Sequence, residues 1–159
     1  MSGKDNTIRI ARKLQKESYK LFYPQDEDEY SYINKYQEIN SKIVLWRNRL
    51  MRIKGSTVEE EAEICLALLM GCNAYIRDDS GIRDALSRTY KILSRLSPGI
   101  LKCQLLTFCY GEEYDEKILE EAHKIINTWK EQDLSCEQQQ IITILKDMKE
   151  NNTGRESIE

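Results

Sequence analysis

Apolar residues in this chain recur at steps of three and four, a spacing that gathers them on one face of an α-helix. The clearest case begins at Ile33 and continues through Tyr36, Ile39, Ile43, Trp46, Leu50 and Ile53. No stretch alternates as a β-strand would. The 159 residues include only 7 Gly and 2 Pro, too few for the turns and glycine-rich loops of sandwiches, barrels or Rossmann-type sheets. The sequence therefore predicts an all-α fold.

Capping residues and helix-ending residues divide the chain into seven predicted helices. The predicted segments are Thr7 to Tyr23, Asp26 to Ile53 with a break at Asn40-Ser41, Ser56 to Arg77, Ile82 to Leu96, Gly99 to Tyr110, Asp115 to Trp129, and Ser135 to Met148. Capping boxes are expected at 26/29, 56/59 and 135/138. No linker interrupts the pattern, so we expect one helical domain over residues 1–150 and a disordered polar tail over 151–159.

The third predicted helix is apolar nearly all round, which is typical of a helix in the middle of a bundle. Gly71 within it indicates a close helix crossing, while Gly55 and Gly111 are expected to end helices. The predicted core consists of Leu66, Leu69, Cys103, Leu106, Ile126 and Trp129.

Charge is unevenly distributed along the chain. Residues 1–54 carry a net charge of +5 and residues 55–159 a net charge of −8, within a total of −3. The basic first third could contact nucleic acid, although the acidic remainder would oppose this, or it could form a solvated helix face. We expect the solvated face, with no direct contact to nucleic acid and no contact to a membrane. Tyrosines 19, 23, 30, 32 and 36 suit either a protein interface or a polar-edged core.

The chain offers little that suggests catalysis or metal binding. Four of its five cysteines lie in apolar helical runs, where a thiol packs as a small hydrophobe, and the N-terminal residues lack the apolar stretch of a signal peptide. We therefore expect free thiols in a reducing cytoplasm. His123 is the only histidine; it is either a boundary residue or the partner of Cys103 or Cys109 in a nucleophilic pair. The sequence contains no CxxC pair, no glycine-rich phosphate loop and no hydrolase motif. We therefore expect no metal, no cofactor and no enzyme activity.

Two segments carry a family resemblance: GSTVEEEAEICLALLMGCNA at residues 55–74 and LSPGILKCQLLTFCYGEEYDEKILEEAHKIINTW at residues 96–129. They resemble the UpxZ family, small proteins encoded in capsular-polysaccharide loci of gut bacteria. The resemblance covers about the C-terminal two thirds of the chain, and the first two helices match only in layout. It implies an inhibitor of NusG-like (UpxY-type) transcription antitermination factors from competing loci, which acts by protein–protein binding. The alternative is a helical scaffold or adaptor module with an unrelated cytoplasmic partner.

The segment between the fifth and sixth predicted helices is the candidate partner-binding surface. It combines two aromatic residues with three carboxylates, and it lies inside the second family-like segment. Its candidate residues are Tyr110, Glu112, Glu113, Tyr114 and Asp115. The same residues also suit a tight turn in which Gly111 ends one helix and Asp115 caps the next.

Overall fold

The computed structural model describes residues 3–23, 29–74 and 76–158, and the side chains of residues 6–23, 36–74 and 76–152. Seven α-helices occupy these ranges: α1 (Gly3–Phe22), α2 (Glu29–Met51), α3 (Val58–Gly71), α4 (Asp79–Ile92), α5 (Ile100–Glu113), α6 (Glu116–Ile126) and α7 (Cys136–Ile158). Short 3₁₀ helices cover Leu93–Arg95 and Glu131–Asp133, and the described residues contain no strand. The all-α prediction is confirmed.

The helices divide into two compact units, Met1–Arg95 and Leu96–Glu159. In the first unit, α3 packs against α1, α2 and α4. Every α3 residue from Glu60 to Gly71 is buried, as expected for a helix that is apolar nearly all round. Leu66 and Leu69 belong to the core of this unit, with exposed fractions of 1% and 0%.

Gly71 permits a close approach between α1 and α3. A Cβ placed there would lie 3.1 Å from Cδ1 of Leu14, which is itself fully buried in α1. The predicted close crossing at Gly71 is confirmed, and it explains why a glycine occupies the last position of α3.

In the second unit, α5 packs against α6 and α7. Cys103 and Leu106 on α5 are completely buried. Ile126 and Trp129, which the sequence places in the core, are only half-buried because α6 ends at Ile126 and Trp129 falls in the turn that follows. The core prediction is wrong for these two residues.

Several helix ends differ from the predicted ones. α1 begins at Gly3, so Thr7 lies inside the helix with a buried side chain and does not cap it. α2 continues through Asn40 and Ser41 without a break, and within it the Ser41 hydroxyl donates to the Gln37 carbonyl one turn earlier. The capping box predicted at 26/29 stays a prediction, because position 26 lies outside the described residues.

The start of α3 is displaced by one residue from the predicted capping box at 56/59. Thr57 is the N-cap, and its Oγ1 accepts a hydrogen bond from the Glu60 N–H at 3.1 Å. Glu60 reaches back and accepts from the Ser56 N–H. The helix ends at Gly71, six residues before the predicted end at Arg77.

Gly55 does not adopt the left-handed conformation expected of a helix end, since no described glycine has a positive φ. Its role is close approach: a Cβ at position 55 would overlap the backbone of Glu61, whose carboxylate accepts a hydrogen bond from the Gly55 N–H at 2.8 Å. Glycine is therefore required there by the space available and not by φ.

The third capping box is confirmed at the start of α7. Ser135 Oγ accepts from the Gln138 N–H at 3.1 Å, and Gln138 Oε1 accepts from the Ser135 N–H at 2.8 Å. α7 continues to Ile158, so its backbone runs into the segment 151–159 for which the sequence predicts a disordered tail. The domain boundaries of residues 1–150 and 151–159 stay a prediction.

No helix in the described part of the chain is both long enough and apolar enough to cross a membrane.

Candidate partner-binding surfaces

The predicted binding segment 110–115 forms the tight connection between α5 and α6. α5 extends to Glu113, Tyr114 adopts a left-handed conformation with φ 53°, and Asp115 caps α6 by accepting a hydrogen bond from the Lys117 N–H at 2.9 Å. The connection is thus two residues long. We call Glu112, Glu113, Tyr114 and Asp115 the acidic turn.

Tyr110 supports this turn from inside the unit. Its side chain is 1% exposed, and its hydroxyl accepts a hydrogen bond from Asn152 Nδ2 on α7 at 3.2 Å. Its ring meets the ring of Tyr114 edge to face, with centroids 5.6 Å apart. Of the five predicted residues, Tyr110 is therefore buried, Glu112 and Tyr114 are half-buried, and Glu113 and Asp115 are exposed.

The prediction that Gly111 ends α5 is wrong. Gly111 lies inside the helix, and a Cβ there would come within 2.7 Å of Sδ of Met148 on α7. The glycine makes room for a methionine that is distant in sequence, which a local pattern could not reveal. The residue that ends the helix in the left-handed region is Tyr114.

The chemistry of the acidic turn is that of an anionic surface beside an aromatic ring. Glu112, Glu113 and Asp115 contribute three carboxylates within four positions, and Glu116 adds a fourth in the first turn of α6. The N-terminus of α6 accommodates the last two because its unpaired N–H groups favour negative charge. Such a surface is suited to a basic partner.

The surroundings of Cys103 and His123 do not favour nucleophilic chemistry. All five cysteines are free thiols, and Cys136 alone is exposed. The Cys103 Sγ donates to the Ala122 carbonyl at 3.8 Å, and burial raises its pKa to about 11, whereas a nucleophilic cysteine needs a lowered pKa. His123 has Lys149 Nζ 3.4 Å from its Nε2, and burial together with that charge lowers the pKa of the imidazole.

Metal-ligand chemistry is likewise missing from the described part of the chain, which contains no group of three or more His, Cys, Asp or Glu residues placed to hold an ion.

The first unit contains a surface that the sequence interpretation did not single out. A cleft of about 640 Å³ opens between the C-terminal end of α2, the start of α3 and the second half of α4. We call it the basic cleft, because its lining includes five cationic side chains: Arg52, Lys54, Arg88, Lys91 and Arg95. Glu61 is the one carboxylate among the lining residues.

An ion pair organises the centre of the basic cleft. Arg88 Nε and Nη2 donate to the two carboxylate oxygens of Glu61, both at 2.8 Å, and Nη2 also donates to the Ile53 carbonyl at 2.7 Å. Burial raises the pKa of the Glu61 carboxyl, but the Arg88 hydrogen bonds, the Gly55 N–H and the charges of Arg88 and Lys54 outweigh it, so the pKa lies below its usual value. The ion pair ties α3 to α4, and the hydrogen bond to the Ile53 carbonyl ties the chain before α3 to α4.

A sequence signal for this cleft does exist. Arg88, Lys91 and Arg95 follow one another at steps of three and four, which would place them on one side of a helix. This signal reveals only the wall of the cleft formed by α4 and the segment after it. Arg52 and Lys54 reach the cleft through the tertiary fold, which the local pattern does not show.

The fold and these surfaces define a small all-α protein whose distinctive features are two charged surfaces, the acidic turn and the basic cleft. The model of the UpxZ family of transcription anti-terminator antagonists matches residues 11–111. The chain belongs to this family, which is a family of regulators and not of enzymes.

A solved relative supports the same assignment. The chain is similar to the crystal structure of a transcription anti-terminator antagonist UpxZ from Bacteroides uniformis, with 37% sequence identity and a TM-score of 0.79 over 92% of this chain and 94% of that one. The comparison with curated proteins gave no match. The family match begins at Ala11, within α1, includes α2 and ends at Gly111. The family-like sequence segments matched these first two helices only in layout.

Proposed function

We propose that this protein binds NusG-like, UpxY-type antitermination factors directly and prevents them from acting, so that competing capsular-polysaccharide loci are expressed less. The observation that supports this proposal is the family match over residues 11–111 together with the 37% identical antagonist structure. The binding takes place in the cytoplasm, where transcription occurs, and needs no cofactor.

The acidic turn is the contact surface proposed for this activity. An antitermination factor of the NusG type must contact polymerase, so binding to a basic and apolar face of the factor would block that contact. Glu113 and Asp115 present exposed carboxylates, and the half-buried ring of Tyr114 lies between them in sequence. Opposite charges of this kind increase the association rate and select the partner.

The test of the function is a binding panel. NusG-like factors from the protein's own locus and from several other loci are purified, and each is titrated against this protein by calorimetry. We expect binding to factors from other loci and little or none to the factor of its own locus. If no factor in the panel binds, direct antagonism is refuted, and the helical scaffold with an unrelated partner becomes the better explanation.

The test of the surface is a charge reversal. Glu112→Lys with Glu113→Lys should change the free energy of unfolding by under about 1 kcal/mol, because Glu113 is exposed, Glu112 is only half-buried and charges in contact with solvent contribute little. The same change should weaken factor binding by about 2 kcal/mol or more. The matched control is Glu131→Lys with Glu137→Lys, the same charge change at exposed positions of the same unit. Equal affinities for the two folded variants would remove the acidic turn from the interface.

A further inference from the structure

The basic cleft carries more positive charge than its surroundings neutralise. Arg88 is paired with Glu61, but no ion pair is found within the described part of the chain for the four other cations, Arg52, Lys54, Lys91 and Arg95, all of which are exposed. Four like charges around one concavity repel one another and create a positive potential that an anionic group would relieve.

Arg88 adds a donor at a fixed position. Its Nε and Nη2 are held by Glu61 and the Ile53 carbonyl, while Nη1 makes no hydrogen bond to the described residues. Because the guanidinium is planar and anchored on one edge, the Nη1 donors are already oriented before a ligand arrives. A carboxylate that enters the cleft thus meets one ordered arginine and four more adaptable cations.

The remaining lining of the cleft is aliphatic. Met51 is 37% exposed, Ile53 and Val58 are half-buried, and Ile92 is buried at the α4 wall. The lining includes no aromatic side chain. Proteins that hold single-stranded nucleic acid commonly stack bases on aromatic rings, so this lining fits aliphatic side chains of a peptide better than it fits bases.

The size of the basic cleft points in the same direction. The basic residues of the cleft are confined to a concavity of about 640 Å³, which is the size of a site for a few side chains.

We propose that the basic cleft binds an acidic peptide segment of the antitermination factor, with carboxylates on Arg52, Lys91 and Arg95 and an aliphatic side chain against Ile53 and Val58. This inference rests on the proposed function and adds a second contact of opposite charge to the acidic turn. The antagonist then recognises a factor by an acidic segment as well as by a basic face, and each locus's factor can differ in either one.

The experiment compares two triple variants of the full chain. The cleft variant carries Arg52→Glu, Lys91→Glu and Arg95→Glu. The control variant carries Lys13→Glu, Lys16→Glu and Arg49→Glu, which makes the same change in net charge at exposed positions of the same unit. Circular dichroism melting establishes that both variants fold, as expected because these six side chains are exposed.

The probe is the NusG-like factor that the wild-type chain binds in the panel above. We expect the cleft variant to bind it about 30-fold or more weakly, the change typical of losing a binding hot spot, and the control variant to change affinity by under about threefold. Wild-type affinity should also fall as salt is raised from about 50 to about 300 mM, and the cleft variant should be less sensitive to salt.

The other outcomes separate the two proposals. If the wild-type chain binds no factor, the proposed function fails and this inference fails with it. If the cleft variant binds as well as wild type, or if both variants lose affinity equally, the inference alone is overturned and direct antagonism stands. If a leader RNA from the capsular locus binds the wild-type chain and the cleft variant loses that binding while keeping the factor, the cleft is a nucleic-acid site and the peptide assignment is wrong.

Discussion

Replacing Arg88 with methionine should reveal how much the fold depends on the ion pair that joins α4 to α3. Arg88 makes three charge-assisted hydrogen bonds of 2.7 to 2.8 Å, two to Glu61 and one to the Ile53 carbonyl. Methionine keeps much of the side-chain length but none of the donors. The Glu61 carboxylate would then stay largely buried without its main counterion.

The expected cost is about 2–4 kcal/mol in the free energy of unfolding. Removing one partner of a fully buried pair costs about 3–5 kcal/mol. The lower range applies here because the side chains of Arg88 and Glu61 keep exposed fractions of 21% and 11%, and because the Gly55 N–H still donates to the carboxylate.

The same variant should change the pH dependence of stability. The pKa of Glu61 is lower in the folded chain than its usual value, so the carboxylate stabilises the fold above the unfolded pKa, and this contribution is lost as the pH falls. Without Arg88 the pKa should rise. The difference in unfolding free energy between wild type and Arg88→Met should therefore be largest near about pH 7 and should narrow below about pH 4.

Urea unfolding followed by far-UV circular dichroism at several pH values measures both effects. Arg83→Met is the matched control, since Arg83 is an exposed arginine on the same helix, and it should cost under about 0.5 kcal/mol. Glu61→Gln combined with Arg88→Met should cost less than the sum of the single changes. A cost below about 1 kcal/mol for Arg88→Met, or a difference that does not vary with pH, would refute the role given to the pair.

Three further predictions concern packing and thiol reactivity. Gly55→Ala should lower the free energy of unfolding by about 2 kcal/mol or more, because its Cβ would lie 2.8 Å from the Glu61 Cβ. The control Gly99→Ala, whose Cβ would lie 3.9 Å from its nearest neighbour, should cost under about 0.5 kcal/mol. Equal urea midpoints for the two variants would contradict this. Leu69→Ala should cost about 2–5 kcal/mol because Leu69 is completely buried, and a melting temperature within about one degree of wild type would mean that α3 is not central. A thiol reagent at about pH 8 should modify Cys136 alone in the native chain. The other four thiols are buried, and burial raises the pKa of three of them to about 11. Rapid reaction of a second thiol would contradict this.

Local sequence signals predicted the elements whose stabilising contacts are themselves local. Ser135 and Gln138 satisfy each other's backbone within one turn, so their spacing was sufficient to place the start of α7. The start of α3 was misplaced by one residue because Ser56 and Thr57 are both good caps and three consecutive glutamates follow them. Only the folded geometry selects the pair Thr57 and Glu60.

Features that depend on distant residues were not predictable in this way. Gly111 looked like a helix end, but Met148 on α7 occupies the space beside it and the helix continues. The basic cleft depends on Arg88 and Glu61, which are 27 positions apart. Of the predicted binding residues, the sequence identified the acidic ones at the surface but could not show that Tyr110 is buried against Asn152.

The crossing of α1 and α3 constrains how the first unit can form during synthesis. α1 emerges from the ribosome before α3 exists, yet the face containing Leu14 is completed only by the chain around Gly71. The nascent protein therefore carries an amphipathic helix without its α3 partner until translation reaches α3, and such a surface is one that chaperones protect. α5 and α6, by contrast, are neighbours in sequence and can pair as soon as both are made. The pace of translation, and not only the intrinsic folding rate, thus sets when the first unit becomes competent to act.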